Sequence, residues 1–147
     1  MDSAKPLSHI GVDVWTAYTA YRRSMYAQVA TSGFADITEA DSDVLVWIGP
    51  KGTTITAIAK ARGVTKQAVQ GQVQSLIARG YLDTRIDPSD TRARILTHSA
   101  KGRALAAALD KIKKRLDGAV KTRIGADDYD RLRLLLGEMA EVLKEDP

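Results

Sequence analysis

The residues best suited to chemistry in this sequence lie between Thr65 and Gln74. Read as a helix, the segment carries Thr65, Lys66, Gln67, Gln70, Gly71 and Gln74 on the face opposite its apolar side. A carboxamide sets a donor beside an acceptor, which matches N6 and N7 of adenine in a DNA major groove, while a lysine ammonium bonds guanine or phosphate. Gln67 and Gln70 have the first chemistry and Lys66 the second. Gly71 reads nothing; it permits close approach and costs about 1 kcal/mol of helix propensity relative to alanine. A merely solvated polar face has the same composition, so the surrounding elements must decide.

Those elements are marked by their caps and stops. Thr54 caps a helix over residues 55–62 that Gly63 ends, and Thr65 caps a second over 66–79 that Gly80 ends. Two helices on one glycine-led turn outline a helix-turn-helix. Ala59 is small where the helices would cross, Gly63 suits a left-handed turn, and Val64 and Val69 are expected to bury beside Ile58. Gln72, spaced with Val69, Val73 and Leu76, should be partly buried and bonded to a neighbour. Strand-like alternation follows over 81–86 and 92–97, joined by Asp87, Pro88, Ser89 and Asp90, which is turn chemistry.

The flanks are helical. Ile10, Val14, Ala17, Tyr18, Tyr21, Met25 and Val29 predict a long amphipathic helix over about 7–30, closed by Gly33. Thr38 and Asp41 have capping-box spacing for a helix carrying Val44, Leu45, Trp47 and Ile48, which Gly49, Pro50 and Gly52 stop. From Ala100 the helical period returns through Leu105, Leu109, Ile112, Leu116 and Val120. After Gly125 a last helix, starting at Asp127 or Asp128, aligns Leu132, Leu135, Leu136, Met139, Val142 and Leu143. The fold class is therefore mainly α with a small β-hairpin (α+β).

Charge favours a polyanionic partner. Residues 51–103 hold ten basic and three acidic side chains, a local +7, whereas residues 1–50 stand at −3 and 104–147 at zero. The absence of cysteine excludes disulfides and thiol sensing, and His9 and His98 alone do not make a zinc site. No Ser/His/Asp set, phosphate-cradling loop or nucleotide fingerprint is present, so neither an enzyme nor a cofactor is expected. Without an apolar run of membrane-spanning length or a signal-peptide pattern, a cytoplasmic protein that does not enter the membrane is expected.

The run from Val64 to Val69, the run from Leu76 to Leu82, and above all Asp90, Arg92, Ile95, Leu96, Thr97 and Gly102 resemble the MarR family of bacterial regulators. The resemblance implies a winged helix-turn-helix lobe over 35–99 within a single 1–147 domain, and dimerisation helices over 7–32 and 100–145. It implies that Arg92 is the wing arginine that enters a minor groove, that Asp90 orients the wing, and that Arg94 occupies a frequently basic position. Lys60 and Arg85 join Lys66, Arg92 and Arg94 as expected phosphate contacts. Where many members carry arginine on the exposed recognition face, this chain has Gly71.

Together these observations lead to the expectation of a homodimeric, sequence-specific regulator of double-stranded DNA, a repressor, acting on a pseudo-palindromic operator. The resemblance adds a small aromatic or amphipathic effector, for which Trp15, Tyr18, Tyr26 and Trp47 are the candidate pocket residues. Ordinary core or interface positions for those aromatics stay open, as does an intramolecular core for the terminal helices. The alternative function is a winged-helix protein-interaction module or antirepressor.

Overall fold

The computed structural model describes residues 9–145. Four helices, α1 (Ile10–Thr31), α2 (Glu39–Leu45), α3 (Ile55–Arg62) and α4 (Lys66–Ala78), lead into strands β1 (Leu82–Asp87) and β2 (Asp90–His98), and helices α5 (Ala100–Ile124) and α6 (Ala126–Glu145) follow. The expected start of the first helix at residue 7 lies outside the described residues.

Local chemistry sets most boundaries. Thr38 Oγ1 accepts from the Asp41 amide while Asp41 Oδ2 accepts from the Thr38 amide at 2.8 Å, a complete capping box for α2. Thr54 and Thr65 accept from the amides of Ala57 and Ala68, each at 3.2 Å, starting α3 and α4. Such caps contribute about 1 kcal/mol each. Gly63 ends α3 with φ 65° and ψ 31°, the left-handed conformation that a Cβ disfavours.

Several boundaries shift by a residue or two, Asp87 and Asp90 belonging to the strands rather than to the turn and the last helix starting at Ala126, and two details differ more. Helix α2 stops at Leu45, and the amides of Trp47 and Ile48 bond three residues back, to Val44 and Leu45, as the chain tightens before Gly49 and Pro50. Val64 is 40% exposed rather than buried, because the turn at Gly63 sends its amide back to the Ala59 carbonyl and leaves its side chain outside the helix crossing.

The chain divides into a larger compact unit ending at Leu109 and a smaller one beginning at Asp110. In the larger unit Val44, Leu45 and Ile48 join Ile58, Ala59, Val69, Val73, Leu76, Tyr81, Leu82, Leu96 and Leu105 in the core, and α1 contributes Met25 and Val29. Each large aliphatic residue buried there contributes roughly 1.5–3 kcal/mol. The strands pair antiparallel from Leu82 opposite His98 to Ile86 opposite Arg94, with a register shift between Ile86 and Asp87. Thr53 docks on β2, its amide and carbonyl exchanging bonds with Leu96 at 3.1 and 2.7 Å. His98 Nε2 lies 3.2 Å from the Ile48 carbonyl oxygen, which ties the base of the hairpin to the segment that follows α2. Gly102 is required by close approach: a Cβ there would collide with the Tyr81 carbonyl.

The terminal helices are less covered. Helix α1 buries only Met25 and Val29 of its 22 residues, and α6 buries none of its 20. No described helix is long and apolar enough to cross a membrane.

Candidate nucleic-acid interface

The polar side of α4 is free on the protein surface. Lys66, Gln67, Gln70 and Gln74 are all exposed, and among the described residues none of these side chains has a hydrogen-bond partner. Gln72 behaves differently. Its Oε1 accepts from Arg62 Nη1 at 2.7 Å and its Nε2 donates to the Ala40 carbonyl at 3.5 Å, so this half-buried glutamine ties α4 to α3 and α2. Thr65 is exposed, with its hydroxyl already accepting the capping bond of α4. Around Gly71, nothing lies within 4 Å of where a Cβ would sit.

Two aspartates shape the hairpin tip. Asp87 Oδ1 accepts from the amide and hydroxyl of Ser89 at 2.9 and 2.7 Å, and these bonds hold its carboxyl below the usual range. Asp90 Oδ1 accepts from the Arg92 amide at 3.0 Å, fixing the backbone beneath that arginine and leaving its guanidinium exposed. Arg92 and Arg94 stand two residues apart on β2 and are both exposed, Arg92 within the stretch where the strand register is interrupted. Arg85 does not join them. It lies opposite Ile95, one step along the register from the Ile86–Arg94 pair and hence on the other face, where its Nη2 donates to the Lys51 carbonyl at 3.1 Å.

A polar cluster at the C-terminal end of α4 is absent from the sequence reading. Arg79, at the C-cap of α4, donates through both terminal nitrogens to the Asp41 carboxylate, with Nη1–Oδ2 at 3.1 Å, and Nη1 also donates to the Asp36 carbonyl at 2.7 Å. Burial pushes the Asp41 carboxyl up, but the Arg79 and Thr38 donors outweigh it and hold it below its ordinary value. The fully buried Tyr81 donates its hydroxyl to Asp36 Oδ1 at 2.7 Å; this bond lowers the Asp36 carboxyl, while burial and the same bond push the Tyr81 phenol up to about 12. Lys101, in the first turn of α5, donates to the Arg79 carbonyl at 2.9 Å and stands 4.2 Å from the centre of the Tyr81 ring. The sequence offers a partial signal, since Asp41 is recognisable as a cap, but its partner is 38 residues away.

Three of the four candidate aromatic pocket residues come together. Trp15, Tyr18 and Tyr26 line a groove of about 610 Å³ with Thr19, Arg22, Arg23 and Glu39. The Arg22 guanidinium lies 5.3 and 5.7 Å from the Tyr18 and Tyr26 ring centres and pairs with Glu39 at 2.9 Å. Trp47 is 46% exposed and does not line this groove. Among the described residues no group of three or more His, Cys, Asp or Glu could hold a metal ion.

Comparison with known proteins bears on the family and the fold. The sequence model of the MarR family matches residues 35–93. No curated protein matches the chain. Among solved structures, the transcriptional repressor CouR bound to a 23-mer DNA duplex is 27% identical, with a TM-score of 0.71 over 90% of this chain and 92% of that one. A point mutant of MepR from S. aureus is 17% identical, with a TM-score of 0.73 over 92% and 99%. Apo MarR from E. coli is 19% identical, with a TM-score of 0.71 over 92% and 98%. Residues 35–93 thus match the MarR-family model, in a chain that has the fold of CouR, MepR and MarR.

Proposed function

We infer that this chain is a cytoplasmic, sequence-specific repressor that binds a pseudo-palindromic DNA operator as a homodimer. The observation that carries this reading is the unengaged row of Lys66, Gln67, Gln70 and Gln74 on α4, in the segment of the chain that is most basic. In the proposal α4 lies in the major groove, Gln67 and Gln70 bond adenines, and Arg92, braced by Asp90, reaches the adjoining minor groove. Arg94 and Lys60 contact phosphates, and Thr65 sits at the end of the helix that approaches the backbone. Arg85, tied to Lys51, serves the opposite face of the wing.

The lobe over 35–99 supplies the DNA contacts, and the helices over 7–32 and 100–145 join two copies. Support for a second copy comes from α6, whose Leu134, Leu135, Val142 and Leu143 are between 49% and 64% exposed. Two lobes making on the order of 6–10 phosphate contacts would lose roughly 10³–10⁵ in affinity between 50 and 200 mM salt. The comparisons support a nucleic-acid partner, since CouR is described with a duplex and a second point mutant of MepR with an oligodeoxyribonucleotide.

Release by a small aromatic or amphipathic ligand is also proposed, with Trp15, Tyr18 and Tyr26 as its contacts. MepR has been solved with ethidium bromide bound. Such a ligand acts only if it favours one arrangement of the dimer over the other.

Selection of bound sequences from a random duplex library tests the whole. A palindromic consensus with adenines in each half-site is the expected result. Recovery of unrelated sequences at every round would leave a winged-helix protein that does not read DNA.

A further inference from the structure

The cluster around Arg79 joins four parts of the larger unit behind the reading face: the link before α2, the first turn of α2, the C-terminal end of α4 with the start of the hairpin, and the first turn of α5. We propose that Arg79 and Asp41, with Lys101 behind them, form a positioning clamp that sets the angle of α4 and so the register of its glutamines on the bases. The proposal rests on the DNA-reading function inferred above.

The geometry gives the clamp its leverage. Gln67 stands twelve residues before Arg79, roughly 18 Å along the helix axis. A tilt of about 3° about Arg79 would move Gln67 by about 1 Å, enough to take a bidentate bond out of its distance range. Two contacts to successive residues of α2 oppose that tilt: the Arg79 fork on the Asp41 carboxylate and a longer one, at 3.5 Å, from Gln72 Nε2 to the Ala40 carbonyl. One tie would leave a pivot, whereas two define an angle.

The chemistry of the second tie suits positioning. An arginine fork on a carboxylate fixes a plane as well as a distance. Asp41 is only 5% exposed and accepts from the amide and hydroxyl of Thr38 as well as from Arg79, so its orientation is over-determined. Arg79 is held in turn at the Asp36 carbonyl, and its own carbonyl accepts from Lys101. Lys101 therefore extends the clamp to α5, the helix that runs on past Leu109.

The test is the ratio of affinities for the selected operator and for an unrelated duplex of equal length, measured at one salt concentration. This ratio does not depend on the fraction of protein folded, so loss of stability alone leaves it unchanged. Asp41→Asn is expected to lower the ratio by roughly 5- to 150-fold, the effect of a mismatched base pair. Arg79→Lys, which keeps the charge but loses the fork, should lower it less, and Lys101→Gln least. The salt dependence should stay as in the wild type, because the phosphate contacts remain. Variants that lose thermal stability but keep the wild-type ratio overturn the clamp while leaving the regulator reading intact. If Asp41→Asn fails to fold, Arg79→Lys and Lys101→Gln decide on the same ratio. A wild-type protein with no preference for any duplex overturns both.

Discussion

Helices α4 and α6 both carry apolar residues at helical spacing, yet they use them differently. Helix α4 places Val69, Val73 and Leu76 inside the larger unit, each at most 1% exposed, and turns its glutamines outward. Helix α6 aligns a longer row of leucines and buries none of them. An apolar stripe is thus a statement that something must cover it, not that the same chain does. In α4 the cover is the rest of the lobe, which frees the opposite face for a polar partner; in α6 the proposed cover is a second copy.

The largest expected effects separate the two helices. Leu76→Ala should lower the unfolding free energy by about 2–5 kcal/mol, read by urea denaturation at fixed protein concentration. Leu135→Ala, at a residue 49% exposed, should instead raise the concentration at which dimers dissociate, read by sedimentation. Sedimentation of Leu135→Ala that matches the wild type at every concentration would remove the second-copy reading of α6.

Within α4 the same division recurs between neighbouring glutamines. Gln70→Ala should relax selection at one base pair per half-site by roughly 5- to 150-fold and leave thermal unfolding unchanged. Gln72→Ala should keep every position of the consensus but lower the ratio of operator to unrelated-duplex affinity, and should lower stability by about 1 kcal/mol, because the Arg62 guanidinium loses its acceptor. An unaltered consensus for Gln70→Ala would break the distinction. A smaller gain is expected from Gly71→Ala, at most about 1 kcal/mol of added stability, read in the same unfolding experiment.

The pH dependence contributed by Asp36, Asp41 and Tyr81 lies at the extremes. Asp36 and Asp41 titrate below their ordinary value of 3.8 in the folded chain, so their contribution is present above that value and lost as the pH falls through the lowered ones. Tyr81 is raised from 10.0 to about 12, so its contribution is present below 10.0 and lost as the pH rises through about 12. The melting temperature should be flat between these limits as far as these groups are concerned. A steep change near neutrality would place the controlling group elsewhere.

What is legible in the sequence is what is decided within a few residues. Thr54, Gly63 and Thr65 mark the two helices of the helix-turn-helix because caps and left-handed turns depend on neighbours along the chain. Periodicity alone puts Gln72 at the core edge, and its bond to Arg62 follows from that position. Val64 escapes the pattern because a row of apolar residues does not show how a glycine turn rotates the next side chain. The separation of Arg85 from Arg94 depends on strand register, and the Arg79–Asp41 contact depends on packing of α4 against α2. Neither is carried by local spacing.

The open space at Gly71 has a consequence for descent as well as for recognition. Any side chain but proline introduced there enters solvent from ordinary helical backbone, so the fold does not resist it. Under the proposed function, a duplicated copy of the gene could therefore acquire a new word on α4 by one codon change, and two paralogues could drift apart in the sequences they select while remaining equally well folded.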